Sequence, residues 1–166
     1  MTTVSKMLVP VDFSSGSDSS VAYATALAQT LRAVITLLHV YQRSDGMSSI
    51  VPGADQVVDD EHDRAFAQQW LEGLRAKSMR GRDVETRVVV VAGSPAEEIV
   101  AFARKSSFDM IVMGTHGRTG LRHALMGSVA EAVVRQAPCP VLTIHCPFGT
   151  ETPRVESEAA KARPSR

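Results

Sequence analysis

The 166-residue chain is 44% hydrophobic and fits one domain, large enough to bury a core without disulfides or metal. Equal numbers of basic and acidic residues give a formal net charge of +0, so bulk electrostatics do not favour binding to nucleic acid or to a membrane surface. Because no apolar run is long enough to cross a bilayer and the first residues lack the apolar stretch of a secretory signal, we expect a cytoplasmic protein with no membrane partner.

Five runs of β-branched or apolar residues alternate with segments of helical periodicity. They predict strands over residues 6–12, 33–41, 84–93, 109–114 and 139–145. Several runs are almost continuously apolar, which is typical of parallel strands buried on both faces. We therefore predict a single-domain, Rossmann-like α/β fold with a doubly wound, open, five-stranded parallel sheet of order 3-2-1-4-5.

The first two helices are predicted from apolar residues at helical spacing. In the first helix these residues are Val21, Ala24, Leu27, Ala28 and Leu31. In the second, within residues 59–80, they are Phe66, Trp70, Leu71 and Leu74. Acidic residues 59, 60, 61 and 63 surround His62, and we interpret them as a helix start at the positive end of the helix dipole in preference to a metal site.

The last two helices are predicted from their first residues. Ser94 is an N-cap residue, Pro95 suits the first helical position, and Glu97 lies three residues after the cap. The fourth helix follows Gly127 and Ser128 and ends at Pro138. Its predicted apolar side is formed by Val129, Ala130, Val133, Val134 and Ala137.

Two segments fall outside this alternation. Residues 42–58 are rich in Ser, Gly and Asp and predict a long loop. Residues 147–166 are polar and contain prolines, so we expect a disordered tail behind a domain that spans residues 1–146.

The most informative stretch is GTHGRTGLRHALMGS, residues 114–128, directly behind the fourth strand. Ligands of open α/β sheets bind outside the carboxyl ends of the strands, where the strand order reverses. This stretch leads into a helix whose first N–H groups lack partners and, with the helix dipole, favour a phosphate. Gly127 would let an anion approach the main chain, while Ser128 can cap the helix and donate its hydroxyl. The alternative is a flexible connection with a glycine turn at each end.

Two other phosphate motifs are excluded. GxxxxGK[ST] is absent because no lysine follows Gly127. The dinucleotide motif GxGxxG belongs to the first strand–helix turn, whereas these glycines follow the fourth strand at a different spacing.

The spacing Gly114-(2)-Gly117-(9)-Gly127-Ser128 resembles the G-2x-G-9x-G-[S/T] motif of the nucleotide-binding branch of the universal stress proteins. The resemblance covers about residues 5–146, including VPVDFS near the start and APCPVLTI near the end. It implies the adenine nucleotide alpha hydrolase-like variant of the fold, ATP or another adenine nucleotide as ligand, with magnesium, and a homodimer that acts in stress responses.

The resemblance also implies which residues bind the nucleotide. The triphosphate would lie against Gly114, Gly117, Gly127, Ser128 and Val129. The adenine and ribose pocket would be lined by Pro10, Val11, Val40 and Met113.

Three further residues complete the predicted nucleotide-binding set. The resemblance places Asp12 beside the nucleotide, bonded to ribose or adenine or near the magnesium ion; a turn or helix-capping carboxylate is the alternative. Arg118 has a guanidinium suited to phosphate, and an exposed loop arginine is its alternative. His116 belongs to the same set, and we expect no metal site between it and His123.

The last strand is the predicted dimer contact. It is short and apolar, and at a sheet edge its unpaired backbone groups would accept another strand. The resemblance implies antiparallel pairing of this strand with its own copy about a two-fold axis. The interface residues would be Val141, Leu142, Thr143 and Ile144. The alternative is an edge strand covered by its own tail.

Three functions remain open at this stage: a regulatory nucleotide-binding protein, an ATP-using enzyme, or a structural stress-induced dimer. The run SSGSDSS at 14–20 resembles the pyrophosphate loop of adenylating enzymes poorly, because Ser17 replaces the second glycine. Phosphoryl transfer needs groups that position the nucleophile and stabilise charge, and the sequence offers no convincing base and no Walker lysine. The regulatory protein is therefore the favoured hypothesis, with slow hydrolysis of ATP at most.

Overall fold

A computed structural model of the chain describes residues 3–42, 60–115 and 126–145. Its strands are β1 Lys6–Pro10, β2 Val34–Tyr41, β3 Thr86–Ala92, β4 Met110–Gly114 and β5 Val141–Ile144. Its helices are α1 Ser15–Leu31, α2 Asp60–Ser78, α3 Pro95–Lys105 and α4 Ser128–Gln136. The predicted long loop and C-terminal tail lie outside the described residues, apart from Gln42 at the start of the loop.

The strands form one five-stranded sheet of order β3-β2-β1-β4-β5, in which every neighbouring pair is parallel. This confirms the predicted fold class and strand order. After β3 the chain crosses back over β1 and β2 to place β4 on the free side of β1, with Met7 opposite Met110. The carboxyl ends of β1 and β4 therefore lie side by side where the order reverses, which is the usual ligand position in such sheets.

The sheet separates two hydrophobic layers, because successive side chains of a strand point to opposite faces. Met7 and Val9 of β1 face one layer, which contains buried residues of α1 and α2 such as Val21 and Leu71. Leu8, between them in sequence, faces the other layer, with residues of α3 and α4. Burial on both faces explains why the strand sequences are almost continuously apolar.

The strands are shorter than predicted at several ends. β1 ends at Pro10 because the chain turns at Asp12 and Phe13, and Phe13 has a left-handed backbone with φ of 65°. β5 begins at Val141, after Pro140, which has no N–H to donate to a neighbouring strand.

The helices start near the predicted residues, but their caps differ. Ser94 occupies the N-cap position of α3 and Pro95 the first helical position, yet the Ser94 side chain makes no capping hydrogen bond. The N-cap of α4 is Gly127 and not Ser128, which is the first helical residue. α2 begins at Asp60, so Glu61 and Asp63 lie in its first turn as expected for a helix start.

Three residues assigned to apolar helix faces are exposed, among them Leu31 at the end of α1, at 38%. Phe66 of α2 is 61% exposed and Val134 of α4 is 46% exposed, so none of the three belongs to the core. Within the described ranges, the structure contains no helix with the length and hydrophobicity needed to span a membrane.

A candidate nucleotide-binding cleft at the carboxyl ends of the strands

A cleft of about 930 Å³ lies above the carboxyl ends of β1, β2 and β4. Parallel strands end at the same edge of a sheet, so residues distant in sequence meet there. Every predicted nucleotide-binding residue that the structure describes lines this cleft: Pro10, Val11, Asp12, Val40, Met113, Gly114, Gly127, Ser128 and Val129. The other three, His116, Gly117 and Arg118, lie outside the described residues, as does His123.

At one end of the cleft, two hydrogen bonds fix how β4 leads into α4. The N–H of Thr115 donates to the Ile144 carbonyl at 3.0 Å, which extends the β4–β5 pairing. The Thr115 carbonyl in turn accepts the N–H of Gly127 at 2.7 Å. This second bond brings the first turn of α4 to the end of β4, beside Gly114.

The first turn of α4 lines the cleft with residues whose N–H groups are not used within the helix. Glu131 donates its N–H to the Gly127 carbonyl at 2.9 Å, and this is the first bond of the helix. The N–H groups of Ser128, Val129 and Ala130 precede it and have no acceptor within the helix. All three residues line the cleft. Together with the positive end of the helix dipole, these groups suit an anion.

The two described glycines of the motif do not adopt a left-handed backbone. Gly127 has φ of −72° and ψ of 153°, which any residue can adopt. Gly114 is the last residue of β4, and the glycines with positive φ in the described part of the chain are Gly81 and Gly93. The absence of a side chain at Gly114 and Gly127 therefore provides space beside the main chain, which favours close approach of a ligand over a turn.

Asp12 holds the turn between β1 and α1 and also lines the cleft. Its Oδ1 accepts hydrogen bonds from the Ser14 hydroxyl, the Ser14 N–H at 3.2 Å and the Ser17 hydroxyl at 2.8 Å. The Ser17 hydroxyl oxygen accepts the N–H of Asp12 at 2.9 Å. Asp12 is thus a turn carboxylate, which was the alternative prediction, and it also lies where the predicted ligand contact requires it. The run at 14–20 forms this turn and the start of α1.

His39 connects β2 to the end of β1 beneath the cleft. Its Nδ1 lies 2.8 Å from the Val11 carbonyl oxygen, and the ring is buried at 5% exposure. A carbonyl only accepts, so Nδ1 carries the proton in this bond. His145 makes its own local contact, with Nδ1 3.3 Å from the Thr115 hydroxyl.

The sequence interpretation missed an aromatic cluster at the other end of the cleft. The ring of Phe13 lies 4.3 Å from His39, 4.3 Å from Trp70 and 6.0 Å from Phe66, measured between centroids. All four side chains line the cleft. The helical spacing of Phe66 and Trp70 predicted the second helix, but it did not predict that these two rings line the cleft.

Asp109 lies at the opposite edge of the sheet, before β4. Its Oδ2 accepts hydrogen bonds of 2.8 Å from the N–H and hydroxyl of Ser5 and from the N–H of Lys6. The bonds from Ser5, followed by that from Lys6, hold the pKa of Asp109 below its usual value. Cys139 is a free thiol whose pKa is raised by burial and, secondarily, by the negative charge of Asp109. The bonds of Asp109 join the start of β1 to the start of β4, and neither Asp109 nor Cys139 lines the cleft.

Comparison with known proteins places this geometry in a family. The model of the Universal stress protein family matches residues 3–145. Universal stress protein MJ0531 of Methanocaldococcus jannaschii is 32% identical over 144 residues, which cover 86% of this chain and 82% of the relative. The structure of universal stress protein UspA from Lactobacillus plantarum is 26% identical, with a TM-score of 0.74 over 85% of this chain and 97% of that chain.

Two further structures of the same fold contain adenine nucleotides. One is a universal stress protein in complex with cAMP, with 20% identity and a TM-score of 0.65 over 86% of this chain and 98% of that chain. The other is the universal stress protein from Archaeoglobus fulgidus in complex with dAMP, with 20% identity and a TM-score of 0.57 over 87% of this chain and 99% of that chain. At this identity the comparison shows a shared fold.

Proposed function

The chain belongs to the universal stress protein family, and we propose that it binds an adenine nucleotide, ATP, in the cleft. We further propose that it acts as a cytoplasmic regulatory protein in stress responses. The observation that carries the proposal is the convergence of nine predicted residues, from four separate segments of the chain, on one cleft at the point where the strand order reverses. The adenine nucleotides bound to two proteins of the same fold support the choice of ligand class.

The phosphates of the nucleotide would bind at the start of α4. The N–H groups of Ser128 and Val129 face the cleft without an acceptor in the helix, and Gly114 and Gly127 leave room for phosphate oxygens beside the main chain. We place Gly117, His116 and Arg118 around the same phosphates, as the sequence predicts. Pro10, Val11, Val40 and Met113 would line the adenine and ribose part of the cleft.

Magnesium would accompany the triphosphate. Magnesium is usually bound through one or two carboxylates together with substrate phosphates. Asp12 supplies one carboxylate to the cleft. Among residues 3–42, 60–115 and 126–145, no group of three or more His, Cys, Asp or Glu could hold a metal ion. The ion would therefore depend on the phosphates, with Asp12 as its protein contact.

The proposed homodimer would form through β5, which is an edge strand of the sheet. The carbonyls of Pro140 and Ile144 accept N–H groups of Ile111 and Thr115. Because backbone groups alternate in direction along a strand, the N–H and C=O groups of Val141 and Thr143 point away from β4. These outward groups are available to an antiparallel copy of β5, which would place Val141, Leu142, Thr143 and Ile144 at the interface.

Isothermal titration calorimetry of the full chain with ATP in the presence of magnesium tests the proposal, together with mass spectrometry of any small molecule that copurifies. We expect saturable binding of one ATP per chain and recovery of an adenine nucleotide from freshly purified protein. Absence of binding at millimolar ATP would refute the proposal. Release of phosphate at a steady rate of many turnovers per minute would refute the regulatory role while leaving nucleotide binding intact.

A further inference from the structure

The two ends of the cleft differ in chemistry. At the α4 end, the groups that line it are backbone N–H groups and the small residues Gly114, Gly127 and Ser128. At the α2 end, they are the rings of Phe66, Trp70 and Phe13, together with the carboxylate of Asp63. A ligand that fits both ends carries an anionic group on one side and an apolar, planar group on the other.

Phe66 is the residue at this end whose exposed ring is available to a ligand. Among the described residues, it is the most exposed of the large hydrophobic side chains, at 61%, and the other exposed ones, such as Tyr23, do not line the cleft. Exposed aromatic surface inside a cleft favours a ligand contact, since pockets for small molecules are typically lined by aromatic side chains with a few polar groups.

The ring of Phe66 contacts Phe13, which is itself packed against two further rings. Phe13 lies between His39, Trp70 and Phe66, and its left-handed φ of 65° is a conformation that bulky residues rarely adopt. Trp70 follows Phe66 by one helical turn and packs against the hydrophobic layer of α1 and α2. Phe66 thus has a packed neighbour on one side, which reduces the freedom that it loses when a second ring stacks on it.

Charge sets the orientation of the ligand. Asp63 lies one helical turn before Phe66 and lines the same end of the cleft. A carboxylate there repels phosphates, whereas the start of α4 attracts them. The phosphates therefore belong at the α4 end and the planar group at the α2 end.

We propose that Phe66, supported by Phe13 and Trp70, forms the ring-binding subsite of the cleft and stacks on the base of the bound nucleotide. This inference rests on the proposed function and specifies which side chain recognises the base. Phosphate contacts and ring contacts then lie on different elements, α4 and α2, and can be removed separately.

Calorimetric titration of Phe66→Ala and Phe66→Tyr, with ATP and with inorganic tripolyphosphate, tests the subsite. Tripolyphosphate carries the anionic part of ATP without a base. We expect Phe66→Ala to weaken ATP binding about tenfold or more, the usual effect of removing an aromatic stacking partner, and to leave tripolyphosphate binding unchanged. Phe66→Tyr should retain ATP affinity. Tyr23→Ala is the matched control, because Tyr23 is 58% exposed on α1 and does not line the cleft.

The outcomes separate this inference from the proposed function. Unchanged ATP affinity in Phe66→Ala, while the unmodified protein binds both ligands, would overturn the subsite and leave nucleotide binding standing. An equal loss of ATP and tripolyphosphate affinity would also overturn it, since a ring contact acts on the base alone. Failure of the unmodified protein to bind either ligand would overturn the proposed function itself and this inference with it.

Discussion

The change Gly127→Ala separates the proposed binding role of the α4 start from its structural role. The backbone at Gly127, with φ of −72° and ψ of 153°, is open to alanine without strain. The bond from the Gly127 N–H to the Thr115 carbonyl involves main-chain atoms and survives the change. What changes is the space beside the main chain at a residue that lines the cleft.

The free energy of unfolding should change little. Replacement of glycine by alanine at a compatible position stabilises by about 0.4–1 kcal/mol, because the unfolded chain loses freedom. Alanine is the poorer N-cap residue, by roughly 0.5–1 kcal/mol relative to glycine. The two effects oppose each other, so we expect a net change of less than about 1 kcal/mol.

The affinity for ATP should fall much further. A hydrogen bond to a charged group contributes about 1.5–3 kcal/mol, and each 1.4 kcal/mol is about tenfold in affinity. If the added methyl group displaces the phosphate from one N–H group of α4, ATP binding should weaken by about tenfold to a hundredfold.

Calorimetry for the affinity and urea denaturation for the stability measure both quantities on the same protein. Gly73→Ala is the matched control: Gly73 lies within α2, an added Cβ would meet nothing within 4 Å, and the residue does not line the cleft. This control should be slightly more stable, by about 0.5–1 kcal/mol, with unchanged affinity. Full ATP affinity in Gly127→Ala would show that the reasoning about close approach is wrong, and so would a loss of stability above about 2 kcal/mol.

Two further predictions concern stability and assembly. The hydrogen bonds with Ser5 and Lys6 lower the folded-state pKa of Asp109, so its stabilising contribution is present above the unfolded pKa of about 3.9 and is lost as the pH falls through the folded pKa. Asp109→Asn should therefore have a lower free energy of unfolding at pH 7 and lose less of it on acidification. If the free energies of unfolding of the two proteins fall in parallel from pH 7 to pH 2, this prediction is wrong. Thr143→Pro removes an outward N–H of β5 and leaves the bonds to β4 in place. Light scattering after size-exclusion chromatography should therefore show a shift from dimer to monomer. An unchanged dissociation constant of the dimer would exclude β5 pairing.

The fold was predictable because its pattern is set by burial alone. A parallel strand buried on both faces, such as β1 with Leu8 between Met7 and Val9, must be apolar at every position, and this is visible in sequence. The ends of the strands were not predictable to the residue, because they depend on local bonds. Asp12 illustrates this: its bonds with Ser14 and Ser17 end β1 early, and no periodicity reports them.

The meeting of residues at the α4 end of the cleft was predictable for a different reason. The glycine spacing and the strand that precedes it placed Gly114, Gly127 and Ser128 at one position in space once the strand order was assumed. The identity of the N-cap was wrong by one residue, because Gly and Ser are both good N-caps and the sequence alone does not decide between them. The extended backbone of Gly127, directly before the first helical residue Ser128, identifies Gly127 as the N-cap.

The aromatic end was missed because helical periodicity identifies a face of a helix and not what lies opposite that face. Phe66, Trp70, Leu71 and Leu74 share the inward side of α2, yet Leu71 and Leu74 are buried in the core whereas Phe66 is exposed in the cleft. The cause is where the helix starts: the first turns of α2 lie beside the carboxyl edge of the sheet, and only its later turns cover the strands. An apolar residue in the first turns of such a helix therefore faces the ligand cleft, and the distance from the helix start is the sequence feature that distinguishes Phe66 from the core leucines.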